Sequence, residues 1–169
     1  MISPQLIQRY PFFVDFSLEQ IDTLAKAAED IYVEVGHFFF PEGEDLKKFY
    51  FVVEGKVSVV IGVPDRTKEQ KFVDQLYNNF APKDLTVCSI GVGEMFGWSA
   101  LIPPHKSTAG ATAATDSRVL AFDCDKLRLG FEDDPQFAYL MTMKAAQTIR
   151  ERLRCMQIES LAFVPAMAN

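Results

Sequence analysis

The sequence predicts a mainly β chain with flanking helices (α+β), built as a sandwich or jelly-roll barrel. Helical segments precede the barrel and one long helix follows it. Three observations carry this. Between Ile31 and Asp123, apolar residues recur at a spacing of two in short runs broken by glycine turns. Outside that stretch the spacing changes to three and four, the period of a helix. The chain has 169 residues, of which 49% are hydrophobic. That suffices for one core, so a single domain over 1–169 is expected: an N-terminal helical part at 1–30, a barrel at 31–123 and C-terminal helices at 124–162.

Residues 3–9 read as a short helix broken at Pro11. Ser17 opens a clearer one. With Gln20 three residues on it forms a capping box, and Phe16 before the cap can staple onto Ile21. Leu18, Ile21, Leu24, Ala25 and Ala28 then share one face, and the helix is expected to end near Glu29 or Asp30.

The period becomes two at Ile31, Val33 and Val35, and Gly36 ends that run. Phe38–Phe40 is a strand leading into the turn Pro41-Glu42-Gly43-Glu44. Phe49–Val53 reads as a buried strand, and Glu54-Gly55-Lys56 as a tight hairpin turn into Val57, Val59 and Ile61. Residues 64–86 are polar with spaced aromatics and read as a long flap or a surface insertion. Val87–Ile90 resumes the sheet. Ala109–Thr115 and Arg118–Asp123 follow as strands around Asp116-Ser117. Asp125 is expected to cap a short helix over 126–131. Asp134 caps the longest helix, with Pro135 at its favoured first position, running to about Ala162. Along it Met141, Ala145, Ile149, Leu153, Met156 and Phe163 form an apolar stripe, with Arg150, Glu151, Arg152, Arg154 and Glu159 opposite.

The bulk numbers exclude several classes. A net charge of -6 lacks the basic surface that nucleic-acid binding requires. No run of about 18 apolar residues is present, so no membrane helix is expected. The first residues lack a basic start followed by an apolar run, so a signal peptide is not expected and the protein is placed in the cytoplasm. Cys88, Cys124 and Cys155 show no metal-type spacing and read as buried or reduced thiols. His37 and His105 are the only histidines. No His-x-His pair, catalytic triad or Cys–His layout stands out, so neither a metal nor an enzymatic activity is expected.

The segment Gly91–Ala114 carries the functional signal. Gly91, Gly93 and Gly97 lead into a short apolar turn from Trp98 to Ile102, and Pro103-Pro104 stops it. Glycines let backbone come close to a ligand, and a helix start offers free N–H groups, which together make an anion cradle.

The order of elements, with Pro41-Glu42-Gly43, Val53-Glu54-Gly55-Lys56-Val57 and Gly93-Glu94-Met95-Phe96-Gly97 followed by Ala100-Leu101, resembles the cyclic nucleotide-binding domain family. That family includes catabolite-activator and FNR-type bacterial regulators and the regulatory subunit of protein kinase A. The resemblance covers roughly residues 10–160 and implies a double-stranded β-helix jelly roll. It also implies a cassette reading like F-G-E-L-A-L and then R-[AST]-A. There the glutamate accepts from a ribose hydroxyl and the arginine pairs with the cyclic phosphate.

Here Phe96-Gly97 and Ala100-Leu101 match, but Trp98 stands at the glutamate position and Ser99 follows it. The arginine position falls on Ser107, or on Lys106 if the loop slips by one; Thr108 and Ala109 match the small residues. Two lost charge-assisted partners weaken binding by roughly two to four orders of magnitude, so tight cAMP or cGMP binding is not expected. Trp98 either fills the old ribose site or forms a wall for another planar ligand. Gly97, Trp98, Ser99, Ala100, Lys106, Ser107, Thr108 and Ala109 are the candidate pocket, suited to a small anion or a nucleotide-like ligand.

The implied function is a stand-alone regulatory, ligand-sensing module that couples its pocket to the terminal helix. The other reading is a ligand-free interaction protein. In both, the length of the terminal helix points to a homodimer, and a further effector protein is expected. Direct DNA binding is not expected: no helix-turn-helix follows the long helix, and the charge is unsuitable.

Overall fold

The computed structural model describes residues 2–64 and 82–162. Two short helical pieces come first: α1, Pro4–Gln8, and a 3-10 turn, Pro11–Phe13. Helix α2 spans Leu18–Ala27. Eight strands follow: β1, Ala28–Val33; β2, Phe38–Phe40; β3, Lys48–Glu54; β4, Val57–Pro64; β5, Pro82–Ile90; β6, Met95–Phe96; β7, Gly110–Ala113; and β8, Ser117–Asp123. Helices α3, Cys124–Asp133, and α4, Pro135–Ala162, come after them. The strands form two antiparallel four-stranded sheets, ordered β1-β8-β3-β6 and β2-β7-β4-β5. Opposed antiparallel sheets with flanking helices are the jelly roll expected.

The capping box forms in full: Ser17 N–H donates to Gln20 Oε1 at 3.0 Å, and Gln20 N–H donates to Ser17 Oγ at 3.2 Å. Phe16 and Ile21 are both buried, whereas Leu18 points to solvent. Helix α2 ends earlier than its period implies. Ala28 is already extended and faces Phe122 in the β1–β8 ladder. Partners across the sheet decide this. Lys48 takes Glu29 at 2.8 Å, and Arg118 takes both carboxylate oxygens of Asp30, at 3.0 and 2.7 Å.

The turn at Gly55 differs from a hairpin. Strands β3 and β4 do not pair with each other; the turn carries the chain from one sheet to the other. Gly55 has φ of 85°, and a Cβ there would collide with Asp116 O and Ser117 Oγ. The corner between β7 and β8 is therefore packed directly on it. That second corner also joins strands of different sheets.

Three further expectations are corrected. The 64–86 excursion is shorter: β5 begins at Pro82 and pairs along β4, while residues 65–81 lie outside the described residues. Helix α3 is capped by Asp123, which accepts from the N–H groups of Asp125 and Lys126; Asp125 instead pairs with Arg128 at 2.7 Å. Cys88 and Cys155 form a disulfide tying β5 to α4, with a Cα–Cα distance of 6.2 Å. Cys124 is a buried thiol, pushed up to about 12 by desolvation.

Aromatic rings fill the core. Phe49 and Phe122 stack at 4.7 Å across β3 and β8. Tyr10 and Phe13, from the N-terminal segment, both pack on Phe51, at 4.8 and 5.0 Å. Helix α4 begins under the Asp134 cap, whose Oδ1 accepts from Phe137 N–H at 3.0 Å. Its inner face runs through Phe137, Met141, Ala145 and Thr148 to Arg152. The expected stripe thus holds only at its start. Ile149 is half-buried, Leu153 and Met156 are exposed, and Phe163 lies outside the described residues.

Candidate functional site

The cassette is positioned by its glycines and by β3. Gly93 N–H donates to Val52 O at 2.9 Å, Val52 N–H donates to Glu94 O at 3.0 Å, and Glu94 Oε2 accepts from Gly91 N–H. These bonds aim the short strand β6 at Gly97, which is left-handed with φ of 72°. A Cβ at Gly97 would sit 3.3 Å from both Lys48 O and Tyr50 Cδ2, so glycine suits both the torsion and the space. The chain then turns through a 3-10 segment, Trp98–Leu101, and the Pro103-Pro104 bond is cis.

A cavity of about 180 Å³ opens between this turn, β4, β5 and α4. Val59, Ile61, Ile90 and Phe96 line its apolar body, and Arg152 and Met156 border it from α4. Of the candidate residues, Gly97, Trp98, Ser99, Ser107, Thr108 and Ala109 all lie in the lining. Ala100 is not in the lining; it is buried in the core. Lys106 is also absent from the lining: its Nζ pairs with Asp45 Oδ1 at 3.3 Å on the exposed surface. Trp98 is half-buried, and the cavity persists beside it.

Ser107 is committed to the fold. Its hydroxyl donates to Pro41 O at 2.6 Å and accepts from Glu44 N–H at 2.9 Å. Its backbone N–H donates to Glu44 O and its carbonyl accepts from Gly43 N–H, both at 2.9 Å. Four bonds therefore hold the Pro41–Glu44 turn against the strand entering β7. The proton that a ligand oxygen would need is already used.

Sequence reasoning placed Arg152 on the outer face of the long helix, and the structure turns it inward. Only 13% of its side chain is exposed. Its Nη2 donates to Met95 O at 3.3 Å, its Nη1 lies 3.5 Å from Glu94 Oε1, and Nη1 approaches Cys88 Sγ at 3.8 Å. It is the one charged residue in the lining among the described residues. Positions 148 and 152 lie within about 20° of Met141 around the helix axis, whereas 149 and 153 drift off that face by about 80° and 120°. A stripe followed only at steps of four drifts about 40° per step and so leaves the face that Arg152 continues.

Among the described residues, no group of three or more His, Cys, Asp or Glu is arranged to hold a metal, and no helix is long and apolar enough to cross a membrane.

Comparison with known proteins agrees with the fold. The model of the cyclic nucleotide-binding domain matches residues 31–134, more than half of the chain. A CRP-like cAMP-activated global transcriptional regulator of Mycobacterium tuberculosis is 25% identical over 146 residues, covering 86% of this chain and 58% of the relative. The chain thus spans less than two thirds of that relative's length. A Geobacter metallireducens protein described as a cyclic nucleotide-binding protein superposes with a TM-score of 0.72 at 25% identity, covering 90% of this chain and 99% of the other. The Thermus thermophilus catabolite activator protein shares the fold, with a TM-score of 0.60 at 21% identity over 90% of this chain and 63% of its own. With the matched span running from β1 to the end of α3, through both sheets and the cassette, the chain belongs to the cyclic nucleotide-binding domain family.

Proposed function

We propose that this chain is a ligand-sensing regulatory module, not an enzyme, in which occupancy of the cassette cavity is transmitted to α4. The observation that carries this is the cavity itself. The cassette turn and the inner face of α4 both wall it, through Trp98 on one side and Arg152 on the other. A ligand there touches the fixed barrel and the output helix at once.

Its ligand differs from a cyclic nucleotide held in the family manner. Trp98 stands where the ribose-binding glutamate belongs. The hydroxyl of Ser107 is spent on Pro41 and Glu44, and Lys106 faces outward on Asp45. A thermal-shift panel of nucleotides and small organic acids tests this reading, since a ligand of the native state raises stability by mass action. Calorimetry is expected to give cAMP and cGMP affinities weaker than about micromolar. Micromolar or tighter cAMP binding overturns the divergent pocket, and a flat panel overturns ligand sensing.

The homodimer reading rests on a second stripe of α4. Tyr139, Met143, Ala146 and Leu153 are exposed, and Arg150 completes a four-three spacing on the face opposite Met141 and Thr148. That spacing is a coiled-coil seam. If the same seam works without a ligand, the module is an interaction protein, the second reading. Light scattering distinguishes monomer from dimer. A 19.0 kDa species at high micromolar concentration rejects the dimer, and Met143→Asp is expected to convert a dimer to that species.

A further inference from the structure

We infer that the ligand is a small organic acid, a single six-membered ring or a short alkyl chain bearing one carboxylate, and that Arg152 selects it. This rests on the reading of the cavity as a ligand site. Size comes first. The cavity holds about 180 Å³, close to the roughly 150 Å³ apolar cavity known to take benzene and well under the 300 Å³ where drug-sized pockets begin. One ring fills that volume, whereas a purine joined to a ribose phosphate would extend beyond it.

The walls decide polarity. Val59, Ile61, Ile90, Phe40, Leu46 and Phe96 offer a ring or alkyl chain apolar contact and offer sugar hydroxyls no partner. Ser107 already satisfies its hydroxyl within the fold. Ser99 and Thr108 are the other side-chain hydroxyls in the lining among the described residues, too few to replace the water that the several hydroxyls of a sugar would lose.

Arg152 decides charge. A guanidinium has five donors in a planar fork and grips a carboxylate bidentately. Its present contacts, at 3.3 Å to Met95 O and 3.5 Å to Glu94 Oε1, are long. Glu94 is anchored independently through Gly91 N–H and is 39% exposed, so water can solvate it when a ligand carboxylate takes Arg152. Being on α4, Arg152 also ties the ligand's acid group to the output helix.

Phenylacetate and its neutral isostere phenylacetamide are the probes, titrated against the whole chain. The fluorescence of Trp98, the only tryptophan, and thermal shift are the readouts. Phenylacetate is expected to bind about tenfold tighter than the amide, a factor worth about 1.4 kcal/mol. Arg152→Gln should erase that preference by weakening phenylacetate far more than phenylacetamide. Glu94→Gln, which frees Arg152 and retains an acceptor for Gly91, should tighten phenylacetate several-fold. Because the two variants move phenylacetate affinity in opposite directions, a simple folding defect cannot imitate the pattern. Equal affinity of acid and amide, or a preference that survives Arg152→Gln, overturns this inference and leaves the sensing reading standing. No response to either probe, or to any member of the wider panel, overturns both.

Discussion

Gln20 Nε2 donates to Asp134 Oδ2 at 2.7 Å, which joins the start of α2 to the start of α4 across 114 residues. The same glutamine closes the α2 capping box through Oε1. The same aspartate caps α4 through Oδ1. Two helix starts are thus fixed by one shared contact. Gln20→Ala is expected to cost about 1–3 kcal/mol, because it removes half of one cap and a partner of the other. Denaturant unfolding measures the loss.

That contact also predicts a pH dependence. The Gln20 amide, and then the Phe137 N–H, hold the Asp134 carboxyl below its usual value. A lowered folded-state pKa stabilises the fold above the unfolded value, near 3.9, and the contribution fades as pH falls through the folded value. The stability difference between the parent and Asp134→Asn should therefore be constant above about pH 5 and shrink below it. A difference that grows on acidification contradicts this assignment.

Ser107→Ala deprives Pro41 O of its donor and Glu44 N–H of its acceptor. The expected cost is about 1–3 kcal/mol. Loosening should concentrate in the Pro41–Glu44 turn, where hydrogen exchange of Glu44 N–H ought to rise more than exchange of the β3 amides.

Gly97→Ala places a Cβ in a left-handed residue and within 3.3 Å of Lys48 O. A loss of about 1–3 kcal/mol is expected. A shift in the emission of the neighbouring Trp98 should accompany it, which thermal unfolding combined with fluorescence reads together.

Reducing the Cys88–Cys155 bond releases a loop spanning 67 residues. The chain-entropy account assigns about 4 kcal/mol to such a closure. Dithiothreitol or Cys155→Ser should lower the melting temperature, and the two treatments combined should lower it no further. Additive effects would show that the two act at different places.

The barrel, the α2 capping box and the glycine turns were legible because each is a local pattern. The glycines at 55 and 97 mark backbone torsions, and Asp134-Pro135 marks a helix start within a few residues. What escaped depends on partners distant in sequence. Glu29 and Asp30 look helical until Lys48 and Arg118 claim them for β1. Asp123 outcompetes Asp125 as a cap by geometry that no spacing reveals. In the site, the sequence left the arginine position open between Ser107 and Lys106, and the four bonds of Ser107 to the Pro41–Glu44 turn could not be read from it. Arg152 was misplaced because the apolar stripe was followed at steps of four, which drift about 40° each and leave the face that Met141, Thr148 and Arg152 share.

Helix α4 resembles a beam pinned at its first turn by the Gln20–Asp134 contact, along its inner face by Phe137, Met141 and Ala145 in the core, and near its far end by the bond from Cys155 to Cys88 of β5. A beam held that way cannot hinge outward as a rigid rod. A response to the cavity must instead appear as bowing or rotation about its axis between the pins, or as fraying beyond Cys155. Oxidised protein should therefore transmit a torsional signal along the Tyr139–Leu153 seam, and reduced protein a swinging one.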